Sequence, residues 1–345
     1  MVDIRKFINH PFIKHQRHPS LPLTIFNYTG ECQFQGAWDE YTVAARGLVL
    51  DDNGNVVARP FRKFFNLGEM GIDKAYLATK GNPTVSEKVD GSLGILFVRN
   101  NEVYVTTRGS FSSVQAGWAT TFIRRRGYFS HDFMSGHTYL FEIVYPENRV
   151  IVDYGDMRDM VLLAIIENQS GNDVSDNVLF QEGLRLNFST PRTYHIESIE
   201  DAVSIANVPG VEGIVLKYDD GTRVKIKGDD YIRLHRLING ITERRVFEVV
   251  SMGASLSDFP DEFFAWAKEL ERHYNEEHAK IMNRAYGVYN ETVRMSSRSE
   301  KAKYILGVAS DISSVVFAIM DNKDSGREAW RVLKKHISLD KKQEI

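Results

Sequence analysis

The sequence predicts an α+β chain with antiparallel sheets first and helices last, and three observations point to it. Up to about residue 240, apolar strand-like runs are joined by tight turns rich in Asn, Asp and Gly. All nine prolines lie at or before Pro260. Beyond that point, apolar residues recur at helical spacing. The expected division is an antiparallel-sheet domain over 1–244 and an all-helical domain over 245–345.

The strands follow in order. Gly47–Leu50 and Val56–Phe61 flank Asp51-Asp52-Asn53-Gly54-Asn55, a hairpin signature. Gly94–Arg99 and Glu102–Thr107 flank Asn100-Asn101, and Gly213–Tyr218 and Thr222–Lys227 flank Asp219-Asp220-Gly221. Tyr139–Tyr145 and Met160–Ile166 are further strand candidates, with short helices expected near Val114–Arg126 and Ser198–Ala206. Repeated hairpins favour antiparallel sheets over a doubly wound parallel sheet. In the C-terminal part, Pro260 suits the first turn of a helix capped by Ser257 or Asp258. Phe263, Trp266, Ala267, Leu270, Tyr274, Ile281 and Val288 then mark its packing stripe. Further helical stretches are expected near Glu300–Met320 and Gly326–Ile337.

Composition narrows the function. A chain of 345 residues can bury a large core, and 43% hydrophobic with 26% charged residues is ordinary for a soluble protein. A net charge of −3 excludes a generally basic coat, so nucleic-acid contacts must come from local patches. Cys32 is the only cysteine, which excludes an intrachain disulfide and makes a cysteine zinc site implausible. The N-terminus lacks the apolar core of a signal peptide, and no apolar run approaches the ~20 residues that cross a bilayer. The expectation is a reduced, soluble, cytoplasmic protein without membrane association.

The chemistry concentrates in short segments. Lys88-Val89-Asp90-Gly91 places an amine and a carboxylate two residues apart ahead of a glycine. On an extended backbone both would project to one face, and the glycine admits close approach of a ligand. Alone, such a string more often marks a solvated turn. Its companions change the balance: Arg46-Gly47, Arg62-Lys63-Phe64-Phe65-Asn66, Phe141-Glu142-Ile143, Glu212-Gly213-Ile214-Val215 and Lys225-Ile226-Lys227. Two strand carboxylates, a paired-lysine strand and a lysine–aspartate–glycine element are the groups a covalent nucleotidyltransferase needs. No Gly-x-x-x-x-Gly-Lys-Ser/Thr string occurs, which argues against a P-loop enzyme.

In this order the segments resemble the ATP-dependent RNA ligases, most closely the bacteriophage RNA ligase 1 family that reseals broken tRNA anticodon loops. The resemblance spans roughly residues 24–240. Lys63-Phe64-Phe65-Asn66 and Tyr145-Pro146-Glu147-Asn148-Arg149 favour this family over DNA ligases and capping enzymes. It implies a nucleotidyltransferase domain in which Lys88 attacks the α-phosphorus of ATP to give lysyl-AMP. AMP then passes to an RNA 5′-phosphate, and an RNA 3′-hydroxyl displaces it to seal the strand. Glu142 and Glu212 would hold Mg²⁺, mainly through water, with Mn²⁺ able to substitute. Glu142 would also contact the nucleotide sugar. Arg46 and Lys63 would grip phosphates, with Asp90, Gly91, Arg108, Lys225 and Lys227 completing the site. Phe65 or Tyr28 is the candidate to stack on adenine, and Tyr231 matches a position linked to ligation. Arg108 stands where relatives often carry lysine. Implied partners are RNA 5′-phosphate and 3′-hydroxyl ends, tRNA among them, and an end-healing kinase/phosphatase. The chain is expected to be monomeric, in a host cytoplasm if phage-encoded, and its helical part to choose the RNA.

A free lysine has a pKa of ~10.4, so on the order of one in a thousand is neutral near pH 7. A nucleophilic Lys88 therefore needs surroundings that disfavour its charged form, and nearby cations supply that. Plainer readings stand beside these. Lys225 and Lys227 could be the solvated face of an edge strand. At least one of Phe64 and Phe65 is expected in the core. Arg124, Arg125 and Arg126 are as easily a solvated helix face as an RNA contact. The rival functions are a DNA ligase, a capping enzyme, and a non-catalytic RNA-binding protein on a degenerate ligase scaffold.

Overall fold

The computed structural model describes residues 2–238, 240–260 and 263–336. The chain divides into two compact units, Met1–Asn239 and Gly240–Ile345.

The first unit opens with α1 (Ile4–Ile8), β1 (Ile13–Arg17), β2 (Leu23–Tyr28), α2 (Gly30–Gln35), α3 (Glu40–Ala44), β3 (Arg46–Asp51) and β4 (Val56–Ala58). Next come β5 (Phe65–Asn66), α4 (Lys74–Ala78), β6 (Thr84–Glu87), β7 (Ser92–Arg99), β8 (Glu102–Thr107), α5 (Val114–Arg125), β9 (His137–Val144) and β10 (Asp159–Glu167). It finishes with α6 (Asp176–Arg185), β11 (Thr193–Tyr194), α7 (Ile199–Ala206), β12 (Gly213–Lys217), β13 (Arg223–Lys227) and α8 (Asp229–Ile238). These strands form three sheets, ordered β1-β2-β3-β4, β10-β9-β7-β8 and β11-β6-β12-β13-β5. All three predicted hairpins are present, and the pairing is antiparallel except for the short β5–β13 ladder.

Alternation along each strand decides what faces the site. In β9, Tyr139, Phe141 and Ile143 enter a core with Ala119 and Ile123 of α5. Leu140 points the other way, into a core shared with Leu23, Ile25 and Val49 of the first sheet. Glu142, two residues on, projects to the same side as Leu140. In β13, Val224 and Ile226 pack against Ala202 and Ala206 of α7, which leaves Arg223, Lys225 and Lys227 on the opposite face. Burying each large apolar side chain contributes roughly 1.5–3 kcal/mol, so the cores fix which face the charged residues must take.

The second unit contains α9 (Glu243–Ser251), α10 (Phe264–Thr292), α11 (Arg298–Val308), α12 (Ser313–Met320) and α13 (Ser325–His336). Phe263, Ala267 and Tyr274 are buried as the stripe predicts. Residues 261 and 262 lie outside the described residues, so the proposed Pro260 start cannot be followed into α10. The single helical stretch expected over Glu300–Met320 is instead two helices bent by 113° around a 3₁₀ turn at Ser310–Ile312. The turn lets Ile305 of α11 and Val315 and Val316 of α12 enter one core with Ala285 of α10. No single described helix is long and apolar enough to cross a membrane.

Candidate functional site

The Lys88 segment is a connection, not a strand. β6 ends at Glu87 and β7 starts at Ser92. The Lys88 backbone N–H donates to the Gly213 carbonyl at 2.9 Å, anchoring the turn to the start of β12. Its Nζ donates to Glu212 Oε2 at 2.7 Å, and Lys227 Nζ stands 3.4 Å from Glu212 Oε1. Glu212 is thus a buried carboxylate between two cations. Gly213 permits this pairing. A Cβ there would lie 2.0 Å from the Ile226 carbonyl oxygen, and its φ of +152° suits glycine.

Because the backbone turns, Asp90 does not share the face of Lys88, as an extended strand would require. It is buried, and its Oδ2 accepts from the Ile151 and Val152 backbone N–H groups at 2.8 and 2.7 Å. Its Oδ1 accepts from the Tyr231 hydroxyl at 2.9 Å, while its own N–H donates to Tyr154 Oη. Asp90 and Tyr231 therefore tie α8 and the 151–152 segment beneath the lysine turn. Gly91 completes that turn by close approach to β9. A Cβ there would sit 2.6 Å from the Ile143 carbonyl and 3.2 Å from Glu142 Cγ.

Lys88 lines a cavity of about 690 Å³ inside the first unit, together with Arg46, Gly91, Arg108 and Glu142. Glu142 is half-buried. Loss of water around its carboxylate is the main influence on its acidity and outweighs Lys88 and Arg46, pushing its pKa up to about 8. No hydrogen bond or ion pair joins that carboxylate to another described residue. Burial lowers the Arg46 pKa, and its Nη1 has no hydrogen-bond partner among the described residues. Arg108 donates to the Tyr28 hydroxyl at 3.1 Å. An unpaired carboxylate beside an unsatisfied guanidinium fits a ligand that brings both a cation and anionic oxygens.

Other predicted residues stand around this group. Lys63 is buried in an aromatic box, 5.7 Å from the Tyr28 ring centroid and 5.3 Å from those of Trp38 and Phe65. Tyr28, Lys63, Phe65, Glu212, Lys225 and Lys227 do not line the cavity, whereas Phe64 does. Lys225 is buried on the Lys227 face of β13. Arg124, Arg125 and Arg126 are exposed at the end of α5. Arg126 is held by the Asn187 carbonyl at 2.9 Å and by the Phe122 ring, 4.4 Å from its centroid.

Sequence reasoning missed several lining groups. Lys14 and Asn27 pair across β1 and β2, and Asn27 pairs with Arg46 on β3, so the three form one row at the cavity. Asn27 Oδ1 is buried without a partner among the described residues. Only strand register reveals this row, since Lys14 lies far from every motif. Asn148 accepts from Ser92 Oγ and Gln115 Nε2, both at 3.1 Å, cross-linking β7 and α5 beside the lysine turn. Among the described residues, no group of three or more His, Cys, Asp and Glu could hold a metal ion. A metal here would rest on Glu142 and Glu212, with the ligand supplying further oxygens.

Comparison with known proteins adds the following. A family profile described as RNA ligase matches residues 44–231. A Thermovibrio ammonificans protein, provisionally named an RNA ligase, is 29% identical over 239 residues, covering 64% of this chain and 60% of the relative. The RNA ligase of Rhodothermus phage RM378 is 25% identical over 319 residues, covering 70% of each chain. RNA ligase 1 of bacteriophage TS2126 is 30% identical over 207 residues, covering 56% of this chain and 52% of the relative. A solved Naegleria gruberi RNA ligase with ATP and Mn aligns at 15% identity and a TM-score of 0.44, covering 52% of this chain and 60% of that one. The chain therefore spans between about half and 70% of the length of these relatives.

Proposed function

The chain belongs to the RNA ligase family, whose profile covers residues 44–231, and from that premise we propose that it joins RNA 3′-hydroxyl and 5′-phosphate ends with ATP. The observation that carries this reading is the placement of Lys88. Its ammonium lies 2.7 Å from Glu212 at the wall of a cavity of about 690 Å³ that also presents Arg46, Arg108 and Glu142.

Three steps follow. The Lys88 amine attacks the α-phosphorus of ATP, a P–N bond forms, and the bond to pyrophosphate breaks. Glu212 holds that ammonium through a hydrogen bond, so this contact must break before the amine can attack. Arg46 and Arg108 neutralise the phosphates and the departing pyrophosphate. AMP then moves from Lys88 to the oxygen of an RNA 5′-phosphate, which breaks the P–N bond. Last, the RNA 3′-hydroxyl attacks the activated 5′-phosphorus, and AMP leaves as the new phosphodiester forms. Mg²⁺, or Mn²⁺ in its place, held by Glu142 and Glu212 mainly through water, would spread the phosphate charge. Lys225 and Lys227 supply fixed positive charge behind Lys88. The second unit chooses the RNA, tRNA being the expected class, and an end-healing kinase/phosphatase prepares the ends. The enzyme acts as a cytoplasmic monomer.

The test is incubation of the full chain with α-labelled ATP or GTP and Mg²⁺, without RNA. Acid-labile label should pass to the protein from ATP alone and vanish in Lys88→Ala. Labelling from GTP points to a capping enzyme. No label from either nucleotide leaves an RNA-binding protein. In a second assay, 5′-phosphorylated RNA should be joined in preference to DNA.

A further inference from the structure

The cavity that begins at Lys88 continues well past the phosphate-binding residues. Its walls there are apolar, from Leu163, Ala164 and Val215. Its far end is polar, lined by Thr84, Asp173, Asp176, Lys217 and Arg223. Lys217 pairs with Arg223 in the β12–β13 register, four residues beyond the Gly213 that anchors Lys88. At strand rise this separation is roughly 13 Å. A nucleoside monophosphate attached at Lys88 and laid along β12 would bring its base edge into this region, its faces against the apolar walls.

Two aspartates meet the cavity there and differ in one respect. Asp176 is fully engaged, with Oδ1 on Lys217 and Oδ2 accepting from Thr84 Oγ1 at 2.9 Å. Asp173 Oδ2 accepts from Arg223 at 2.5 Å, while its Oδ1 is buried and has no partner among the described residues. A buried, unpaired carboxylate oxygen is costly unless a donor reaches it. Arg223 meets only Oδ2 of Asp173, and its guanidinium is also held over the Phe61 ring, 4.5 Å from the centroid. Arg223 thus acts as a positioning residue that fixes one oxygen of the cavity-lining Asp173 and leaves the other buried without a partner among the described residues.

We propose that Asp173 reads the nucleobase, accepting from the exocyclic 6-amino group of adenine and so setting the choice of ATP over GTP. An ionised carboxylate is acceptor-only, and the 6-position of guanine is also an acceptor, so the two oxygens repel. The proposal rests on the reading of Lys88 as the nucleotide acceptor, because that places the phosphates at the near end.

Equilibrium binding of nucleoside triphosphates to the full chain separates this proposal from that reading. The wild-type protein should bind ATP at least about tenfold more tightly than GTP. Purine riboside triphosphate, which lacks the 6-amino group, and inosine triphosphate, which carries oxygen there, should both bind more weakly than ATP. In Asp173→Asn, an oxygen remains for Arg223 and an amide donor can face the cavity. The ATP preference should then fall about tenfold or reverse, in binding and in self-labelling alike. Equal binding of ATP and its 6-substituted analogues by the wild-type protein, a readout that requires no variant to fold, overturns the proposal. So does an unchanged ATP preference in Asp173→Asn. A protein that prefers ATP through Asp173 but takes no label on Lys88 upholds base reading and overturns the ligase reading.

Discussion

Lys88 Nζ and Glu212 Oε2 lie 2.7 Å apart across 124 residues of sequence, joining the turn after β6 to the residue that precedes β12. The same carboxylate faces Lys227 at 3.4 Å. Removing it leaves two cations without the carboxylate that lies between them. Glu212→Ala should therefore lower stability by about 1–3 kcal/mol, moderated by the partial exposure of Lys88. It should also slow self-labelling more than Glu212→Gln does. Urea titration and label transfer measure the two effects. Unchanged stability in the alanine variant would show that the pair contributes nothing to the fold.

Glu142 gives a pH dependence with a definite sign. Its folded pKa of about 8 lies above the ordinary glutamate value of 4.5. Between those two values the folded protein keeps a proton that the unfolded chain releases, so stability falls as pH rises through that window. Without metal or nucleotide, the melting temperature of the wild type should drop from pH 5 to pH 8 more steeply than that of Glu142→Gln. Mg²⁺ binding near pH 7 should expel a proton, seen by calorimetry in buffers of different ionisation enthalpy. Parallel slopes for the two proteins would remove Glu142 as the cause.

Tyr231 donates its hydroxyl to buried Asp90 at 2.9 Å. Tyr231→Phe leaves Asp90 with its two backbone donors, so a loss of about 1–2 kcal/mol is expected. Asp90→Ala should cost more, because it also frees the Ile151 and Val152 N–H groups. Chemical denaturation reports both. If these residues only position Lys88, label transfer should weaken in the same order as stability.

Lys14 shares its row with Asn27 and Arg46 at the cavity, where the proposed site holds the phosphates. Lys14→Ala should weaken ATP binding roughly three- to tenfold, the scale of one charge-assisted contact. Sealing of RNA supplied already adenylated should be spared, since no pyrophosphate leaves in that step. Equal losses in both assays would assign Lys14 to the RNA instead.

The three arginines at the end of α5 should separate. Arg126 is engaged with Asn187 and Phe122, so Arg126→Ala should act mainly on stability. If Arg124 and Arg125 touch RNA phosphates, their double alanine variant should reduce the salt dependence of single-strand binding by a log–log slope of about 1.4. An unchanged slope identifies them as a solvated helix face.

What the sequence determined by itself was local. Period-2 alternation and Asn/Gly turns fixed the three hairpins, and helical spacing fixed α10, because these signals depend only on neighbouring residues. The motifs also singled out Lys88, Glu142 and Glu212 as candidates, since residue type alone limits what can act as nucleophile or metal ligand. Tertiary structure decided the rest. Lys88 and Asp90 part company because β6 ends one residue before Lys88. Lys14 and Asp173 reach the cavity through strand register and a returning loop, which leave no trace at short spacing. The raised pKa of Glu142 arises from water excluded by two packed sheets. A one-dimensional pattern fixes periodicity and chemistry, whereas burial and pairing belong to the assembled strands.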